Sequence, residues 1–378
     1  MSHKNYDVET EEIYSPDEDE TIEKRNEYWC DECKIETSEK ECPVCGKETV
    51  EGVPLQVYWC KNCNTPIIHK MNQIDKGICP ICGKKTKYLT TDIRPVFPEE
   101  RLLLELLLDK EPHAFIRNSV WAADSRYYID GKSIAIPNEL FQTADADAIR
   151  KKLNEHQETN SYKYFNEHIN TFITANANRL NYLKTESFEF VREIASKFDE
   201  EKLVISFSGG KDSTVTADVV VKALSNPSLV HIFGNTTLEF PSTVAYAERF
   251  RENHPQAIFL FAKNDEQVFM DVCEDIGPPA RLMRWCCSMF KTGPITRVIN
   301  SLYRSHQILT FYGIRKWESV SRSKYNRVED DAESVKIQQQ TVASPIFFWK
   351  DIDIWLYILA EEVDFNEAYR LGYDRVGC

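Results

Sequence analysis

The chain has 378 residues, 42% of them hydrophobic and 28% charged, with a formal net charge of −14. That is the balance of a globular protein with material for two or three domains. No apolar run approaches the length of a membrane span and the acidic start is unlike a secretory signal, so no membrane contact and a cytoplasmic location are expected. Residues 1–26 hold nine carboxylates against three basic side chains, which places much of the acidity in an expected disordered tail.

Eight of the twelve cysteines fall in four C-x-x-C pairs. Cys30, Cys33, Cys42 and Cys45 follow a Tyr-Trp-Cys start, and Cys60, Cys63, Cys79 and Cys82 repeat the scheme. Each C-x-x-C turn offers two thiolates to one tetrahedral ion, and the glycines after Cys45 and Cys82 permit the tight backbone. Two structural zinc ribbons are expected, at 27–51 and 52–90, whose folding depends on the metal. Redox-active pairs are the competing account, but four copies in ribbon order do not suit it. The first ribbon is acidic, whereas residues 60–90 carry six lysines against one aspartate. That basic surface suits either nucleic acid or plain solubility, and bracing a neighbouring domain is favoured.

Residues 91–157 read as a small α/β module. Arg94–Pro98 looks like an extended linker, and Leu102, Leu103, Leu106 and Leu107 form one face of a helix. Two β runs flank Asp130-Gly131, a hairpin signal. Trp121, Tyr127 and Tyr128 suit base stacking or core packing, and packing is favoured. Residues 158–378 form the last domain. After a helical stretch at 160–202, strands at 203–207, 229–233, 257–261 and 308–312 alternate with helical patterns at 241–253, 264–276 and 294–305. This predicts an α/β fold with a mostly parallel, doubly wound sheet, whose ligands sit at the carboxyl ends of the strands.

The stretch Ser206–Thr214 carries the chemistry. A strand ends at Ser208-Gly209-Gly210, and a helix begins at Lys211-Asp212-Ser213-Thr214. The glycines admit a phosphate close to the backbone, the helix start aims free N–H groups at it, and the hydroxyls and Lys211 add donors and charge. The spacing is not that of a Walker loop. Instead S-G-G-K-D-S resembles the PP-loop of the ATP pyrophosphatase superfamily. Thr236, Glu239 and Thr243 follow the second strand, Gly313, Arg315 and Arg322 the fourth, and Trp349-Lys350-Asp351 and Gly377-Cys378 come later. Together these motifs resemble the phosphoadenosine phosphosulfate (PAPS) reductase family over roughly residues 185–378.

The resemblance implies a glycine loop that holds the phosphate or sulfate of an adenine nucleotide, ATP or a sulfonucleotide, with Arg315 and Arg322 clamping the anion. Glu239 is a candidate Mg²⁺ ligand or an ordinary helix-start carboxylate. Cys286, Cys287 and Lys291 resemble the region where adenylylsulfate reductases ligate a [4Fe–4S] cluster. Cys378 falls at the third ligand position, and since a cluster needs four thiolates, a C-terminally truncated fragment is expected. Structural thiols are the alternative. The reductases' Glu-Cys-Gly nucleophile is absent, and Lys211-Asp212 is the form found in ATP-using relatives. The expected function is therefore a PP-loop enzyme of sulfur metabolism, either reducing a sulfonucleotide or adenylating an acceptor with Mg²⁺ and catalytic Lys211, Arg315 and Arg322. A reductant such as thioredoxin or ferredoxin, or an unidentified acceptor, is the implied partner. A tRNA thiolase, supported by the basic ribbon, and a nucleotide-binding sensor are the alternatives.

Overall fold

The computed structural model describes residues 28–71, 76–124, 126–159, 161–280, 283–303, 307–318, 322, 325–330 and 340–376. The acidic segment 1–26 and Cys378 lie outside these described residues. Contacts divide the chain into two compact units, Met1–Pro54 and Leu55–Cys378. In the first, β1 (Tyr28–Cys30) pairs antiparallel with β2 (Ile35–Thr37) and β3 (Val50–Glu51). Lys34 (φ 55°) and Gly46 (φ 67°) take the left-handed conformations that close the two cysteine turns, each returning its N–H to the first cysteine's carbonyl at 2.8 Å.

The larger unit opens with the same design. Antiparallel β4 (Leu55–Cys60), β5 (Thr65–Lys70) and β6 (Lys87–Thr90) carry Asn64 (φ 54°) and Gly83 (φ 67°) at the matching turns. The stretch expected to be a linker is instead a short edge strand, β7 (Arg94–Pro95), paired with β8 (Val120–Ala123). Proline is tolerated there because an edge strand can spare a donor. Between them lies α1 (Pro98–Leu107). It buries Leu102 and Leu106 of the expected face, while Leu103 and Leu107 are only half-buried and Leu104, Glu100, Arg101 and Glu105 are buried as well. Glu105 is satisfied by the backbone N–H groups of His113 (2.6 Å) and Phe115 (2.7 Å). The hairpin β9 (Arg126–Ile129) and β10 (Lys132–Ala135) turns at Asp130 and Gly131, both with positive φ. Trp121 and Tyr128 are core residues, Trp121 packing on Phe172 at 4.8 Å.

Four helices follow, α2 (Asn138–Thr143), α3 (Ala146–His156), α4 (Lys163–Ala175) and α5 (Ala177–Ala195). Asn176 breaks the last two apart, its side-chain amide accepting from Ile68 N (2.8 Å) and donating to Pro66 O (3.1 Å) on β5.

The main sheet comprises β11 (Leu203–Phe207), β12 (Val230–Asn235), β13 (Ile258–Lys263), β14 (Ile308–Phe311), β15 (Val328–Asp330) and β16 (Gln340–Ala343). Their order is β13-β12-β11-β14-β16-β15, parallel throughout except for β15. The four expected strands are all present, and β15 and β16 extend the sheet beyond them. Both faces are covered, as a parallel sheet requires. Leu203, Ile205 and Phe207 face one cluster with Leu309 and Phe311, while Val204 faces another with Ile232 and Ile308. The intervening helices are α6 (Lys211–Leu224), α7 (Pro241–Asn253), α8 (Phe269–Ile276) and α9 (Gly293–Tyr303). Helix α8 starts later than its pattern suggests because Asn264 turns the chain first, accepting from Glu266 N and Gln267 N.

Helix α10 (Asp351–Ala360) is buried almost all round, as its apolar sequence demands. Ile354, Trp355 and Ile358 join the core of the main sheet, whereas Ile352 and Leu356 pack with Leu55, Val57 and Trp59 of the second ribbon. Its first N–H groups are capped from a distance by the Asp92 carboxylate, which accepts from Asp351 N and Ile352 N at 3.0 Å each. Among the described residues no helix is long and apolar enough to cross a membrane.

One core residue makes stability depend on pH. His231 is buried on β12 among Phe250 and Phe259, its Nδ1–H donating to Leu229 O at 2.9 Å. Burial brings its imidazole down from 6.5 to about 4, the Leu229 carbonyl opposing only in part. The unfolded chain therefore takes up this proton first as pH falls, and stability is lost between those two values. The loss is about 3 kcal/mol by pH 4. Urea unfolding at pH 7 and pH 4 is expected to show that difference in the wild type and a smaller one in His231→Phe. Equal pH slopes in the two proteins would refute the assignment.

Candidate active site and metal centres

The order of the main sheet reverses at β11. The chain runs outward through β12 and β13, then crosses back to β14 on the other side, and a crevice opens at the carboxyl ends where the direction changes. A cavity of about 330 Å³ lies there, lined by the ends of β11 (Ser206, Phe207) and β14 (Tyr312, Gly313), by the glycine loop, and by the C-terminal segment Asp374–Val376.

The loop is shaped by its own hydroxyls. Ser213 Oγ donates to Gly210 O (2.9 Å) and accepts from Ser208 N (3.1 Å). Gly209 has φ +72°, and a Cβ there would stand 2.8 Å from Thr243 Cγ2, so conformation and closeness both require glycine. Gly313 allows a second close approach, since its Cβ would meet the Asp212–Ser213 backbone at 2.7 Å. Helix α6 starts without a side-chain cap, which leaves its first turn able to receive an anion. The N–H of Lys211 is taken by Tyr369 Oη at 3.1 Å.

Not every residue expected to touch a ligand faces the cavity. Ser208, Gly210, Lys211, Asp212, Ser213, Glu239, Gly313 and Arg322 line it. Thr214 is buried and shares a hydrogen bond with Tyr246 Oη (2.9 Å), and Thr243 is buried and accepts from Asn366 Nδ2 (2.9 Å). Both brace the loop from behind. Thr236 donates to Glu239 Oε1 at 2.9 Å and lines the neighbouring cavity.

Arg315 was expected to clamp an anion. It is 5% exposed and does not line the cavity; its Nε stands 2.6 Å from Asp212 Oδ1 and its Nη2 3.0 Å from Asp351 Oδ1. Asp351 also holds Lys211, with Nζ at 3.1 Å, and the Asp374 carbonyl accepts from the same ammonium at 3.1 Å. Burial alone would lower the Lys211 pKa, yet Asp212 and Asp351 hold it above the ordinary lysine range. Burial would likewise raise that of Asp351, but Lys211 and Arg315 hold it below the ordinary carboxylate range. The sequence reading assigned no role to Asp351, Glu318, Asp374 or Arg375. The last three line the cavity, and Glu318 pairs with Arg322 and, at 3.2 Å, with Arg375. The Asp351 signal was visible as an acidic residue opening an apolar helix. Among the described residues the lining holds four cations (Lys211, Lys291, Arg322, Arg375) and four carboxylates (Asp212, Glu239, Glu318, Asp374).

A second cavity, also about 330 Å³, shares Glu239 and Lys291 with the first and is lined by Cys286 and Cys287 with Leu238, Phe240, Phe269 and Phe290. Among the described residues these two cysteines do not belong to a group of three or more metal-ligating side chains; the third expected thiol, Cys378, lies outside those residues.

The ribbon cysteines do gather. Cys30, Cys33, Cys42 and Cys45 bring their sulfurs within 4.8 Å of one another, and so do Cys60, Cys63, Cys79 and Cys82. Two groups of four thiols therefore stand ready for metal. Sulfur–sulfur distances are 3.6 Å for Cys30–Cys45, 3.6 Å for Cys60–Cys82 and 3.8 Å for Cys63–Cys79. Backbone N–H groups of Cys33 and Cys63 point at Cys30 and Cys60 Sγ at 3.4 Å.

Residues 202–378 match the phosphoadenosine phosphosulfate reductase domain. Two uncharacterized proteins of Methanocaldococcus jannaschii are 31% and 30% identical over 57% and 56% of the chain. The chain spans less than half of their lengths, 43% and 49%. An adenosine 5′-phosphosulfate reductase of Staphylococcus epidermidis is 25% identical over 47% of this chain and 70% of its own. The phosphoadenylyl-sulfate reductase structure from Candida auris covers 52% of this chain and 93% of its own at 19% identity, with a TM-score of 0.40. The likeness to the phosphoadenosine phosphosulfate reductase domain thus runs over residues 202–378, just under half of the chain.

Proposed function

We propose that this protein is a PP-loop enzyme of sulfur metabolism that binds ATP with Mg²⁺ at the switch-point cavity and adenylates an acceptor. The observation that carries this reading is the lining itself, where a glycine loop and Lys211 are set, among the described residues, with as many carboxylates as cations. A sulfonucleotide anion alone is best served by cations, whereas carboxylates beside a triphosphate are explained by a shared divalent ion. Magnesium is commonly held by one or two carboxylates together with substrate phosphates, and Asp212 and Glu239 of the lining would supply its oxygen donors. Bound there, the ion would offset charge on the phosphates.

The protein's own residues would do the rest. The first turn of α6 and Ser208 receive phosphate oxygens, and Lys211 and Arg322 meet the charge that develops as the α–β P–O bond breaks. The acceptor's nucleophile bonds to the α phosphorus and pyrophosphate leaves. Arg315 fixes Asp212 and Asp351 rather than touching substrate. Calorimetry with ATP–Mg²⁺ and with adenylylsulfate tests the reading, ATP–Mg²⁺ being expected to bind more tightly.

Sulfonucleotide reduction is the second reading, favoured by Cys286 and Cys287 in the adjoining cavity. Tighter adenylylsulfate binding, with iron in anaerobically purified protein, would put it first and make these cysteines [4Fe–4S] ligands together with Cys378.

For the ribbons we propose zinc. Four thiolates at 2.3 Å from one ion stand about 3.8 Å apart at the corners of a tetrahedron, close to the separations in both groups. A cubane, with each thiolate on a different iron, requires wider spacing.

A further inference from the structure

One wall of the nucleotide cavity is anchored outside the family-matched segment. We propose that Arg94, on β7 of the accessory module, is a positioning residue for this cavity. It clamps Gly372–Val376 where the Asp374 carbonyl receives Lys211 and where Arg375 stands beside Glu318. The inference rests on the reading of the cavity as a nucleotide site.

Arg94 uses all five of its N–H donors. Nη1 and Nη2 grip the Glu100 carboxylate at 2.6 and 2.8 Å, Nε reaches Asp374 Oδ1 at 2.8 Å, and longer contacts of 3.4 Å go to Gly372 O and Pro95 O. Glu100 is itself buried and takes a further hydrogen bond from Tyr127 Oη at 2.8 Å, so the fork cannot swing away. The wall is fitted to this clamp. Gly372 has φ +92°, and a Cβ on it would stand 2.7 Å from Glu100 Cδ. Asp374 keeps its side chain 72% exposed, so burial does not hold it there. Its carboxylate goes to Arg94 while its carbonyl goes to Lys211 Nζ, which ties the accessory module to the glycine loop through one residue.

Hydrogen exchange of the nucleotide-free protein reads the clamp directly. Amides of residues 370–376 are expected to exchange about tenfold faster in Arg94→Ala than in wild type, since local opening loses its anchor. ATP–Mg²⁺ affinity should fall about tenfold in parallel. Arg94→Lys, with the charge but not the fork, should lie between. If Arg94→Ala does not fold, Asp374→Ala carries both measurements, because it removes an exposed carboxylate and leaves Glu100 paired. Unchanged exchange at 370–376 in a folded variant overturns the clamp, and faster exchange with unchanged affinity overturns its role in positioning. A wild type that binds neither ATP nor adenylylsulfate refutes the nucleotide reading instead, while exchange still decides the clamp.

Discussion

Cys63→Ser is expected to lower the zinc content from two ions to one and to destabilise the whole of the larger unit. Structural zinc in isolated finger peptides contributes about 10–16 kcal/mol at neutral pH, which is as large as the net stability of a typical domain, about 5–15 kcal/mol. The second ribbon cannot come undone quietly, because Leu55, Val57 and Trp59 share a core with Phe172 of α4 and with Ile352 and Leu356 of α10. Loss of the metal would expose that surface. Cys45→Ser should also leave one ion, but the main unfolding transition should stay in place, since residues 55–378 form a compact unit with their own cores. Elemental analysis and thermal unfolding of the three proteins distinguish these outcomes. Iron instead of zinc, or folded metal-free ribbons, would refute the zinc assignment.

Lys211→Met is expected to weaken ATP–Mg²⁺ by roughly tenfold to more than a hundredfold, the loss for a charge-assisted phosphate contact of about 1.5–3 kcal/mol. Adenylylsulfate, which has no β or γ phosphate, should lose much less. Lys211 is 4% exposed, and its ammonium is engaged by Asp351 and the Asp374 carbonyl, which leaves the third of its N–H donors for a phosphate oxygen. Methionine keeps the packing of the aliphatic stem while removing the charge. Asp351 then retains Arg315 as its partner, and unfolding measured alongside binding separates lost affinity from lost stability. An ATP affinity equal to the wild type's would end the adenylation reading.

The parallel sheet was legible because its strands are continuous apolar runs, and helix α7 because proline at its start and a polar face mark it clearly. The thiol groups were legible because their spacing is local. What escaped the sequence is non-local. Strands β15 and β16 are short, and Gln340-Thr341-Val342-Ala343 has little apolar pattern of its own; it becomes a strand by pairing with β14. The same holds at the site. The arginine-rich loop after β14 resembled an anion clamp, yet Arg315 turns inward to Asp212 and Asp351, the former brought to it by the fold across about a hundred residues of chain. Thr214 and Thr243 sit at motif positions whose hydroxyls face tyrosine and asparagine partners instead of solvent. A motif fixes which residue types gather, and tertiary hydrogen bonding decides which of them face the ligand.

The distant cap on α10 bears on what counts as a module. The segment that matches the family begins at residue 202, but Asp92 supplies the cap for Asp351 and Ile352, and ribbon side chains cover Ile352 and Leu356. Excised at 202, the family-matched half would have helix N–H groups without that carboxylate and a bare apolar stripe beside the residue that holds Lys211. In this protein the boundary of homology is therefore not a boundary of autonomy. The ribbon and the accessory sheet have become structural parts of the main-sheet domain, and shuffling the family-matched half onto another partner would require rebuilding that surface.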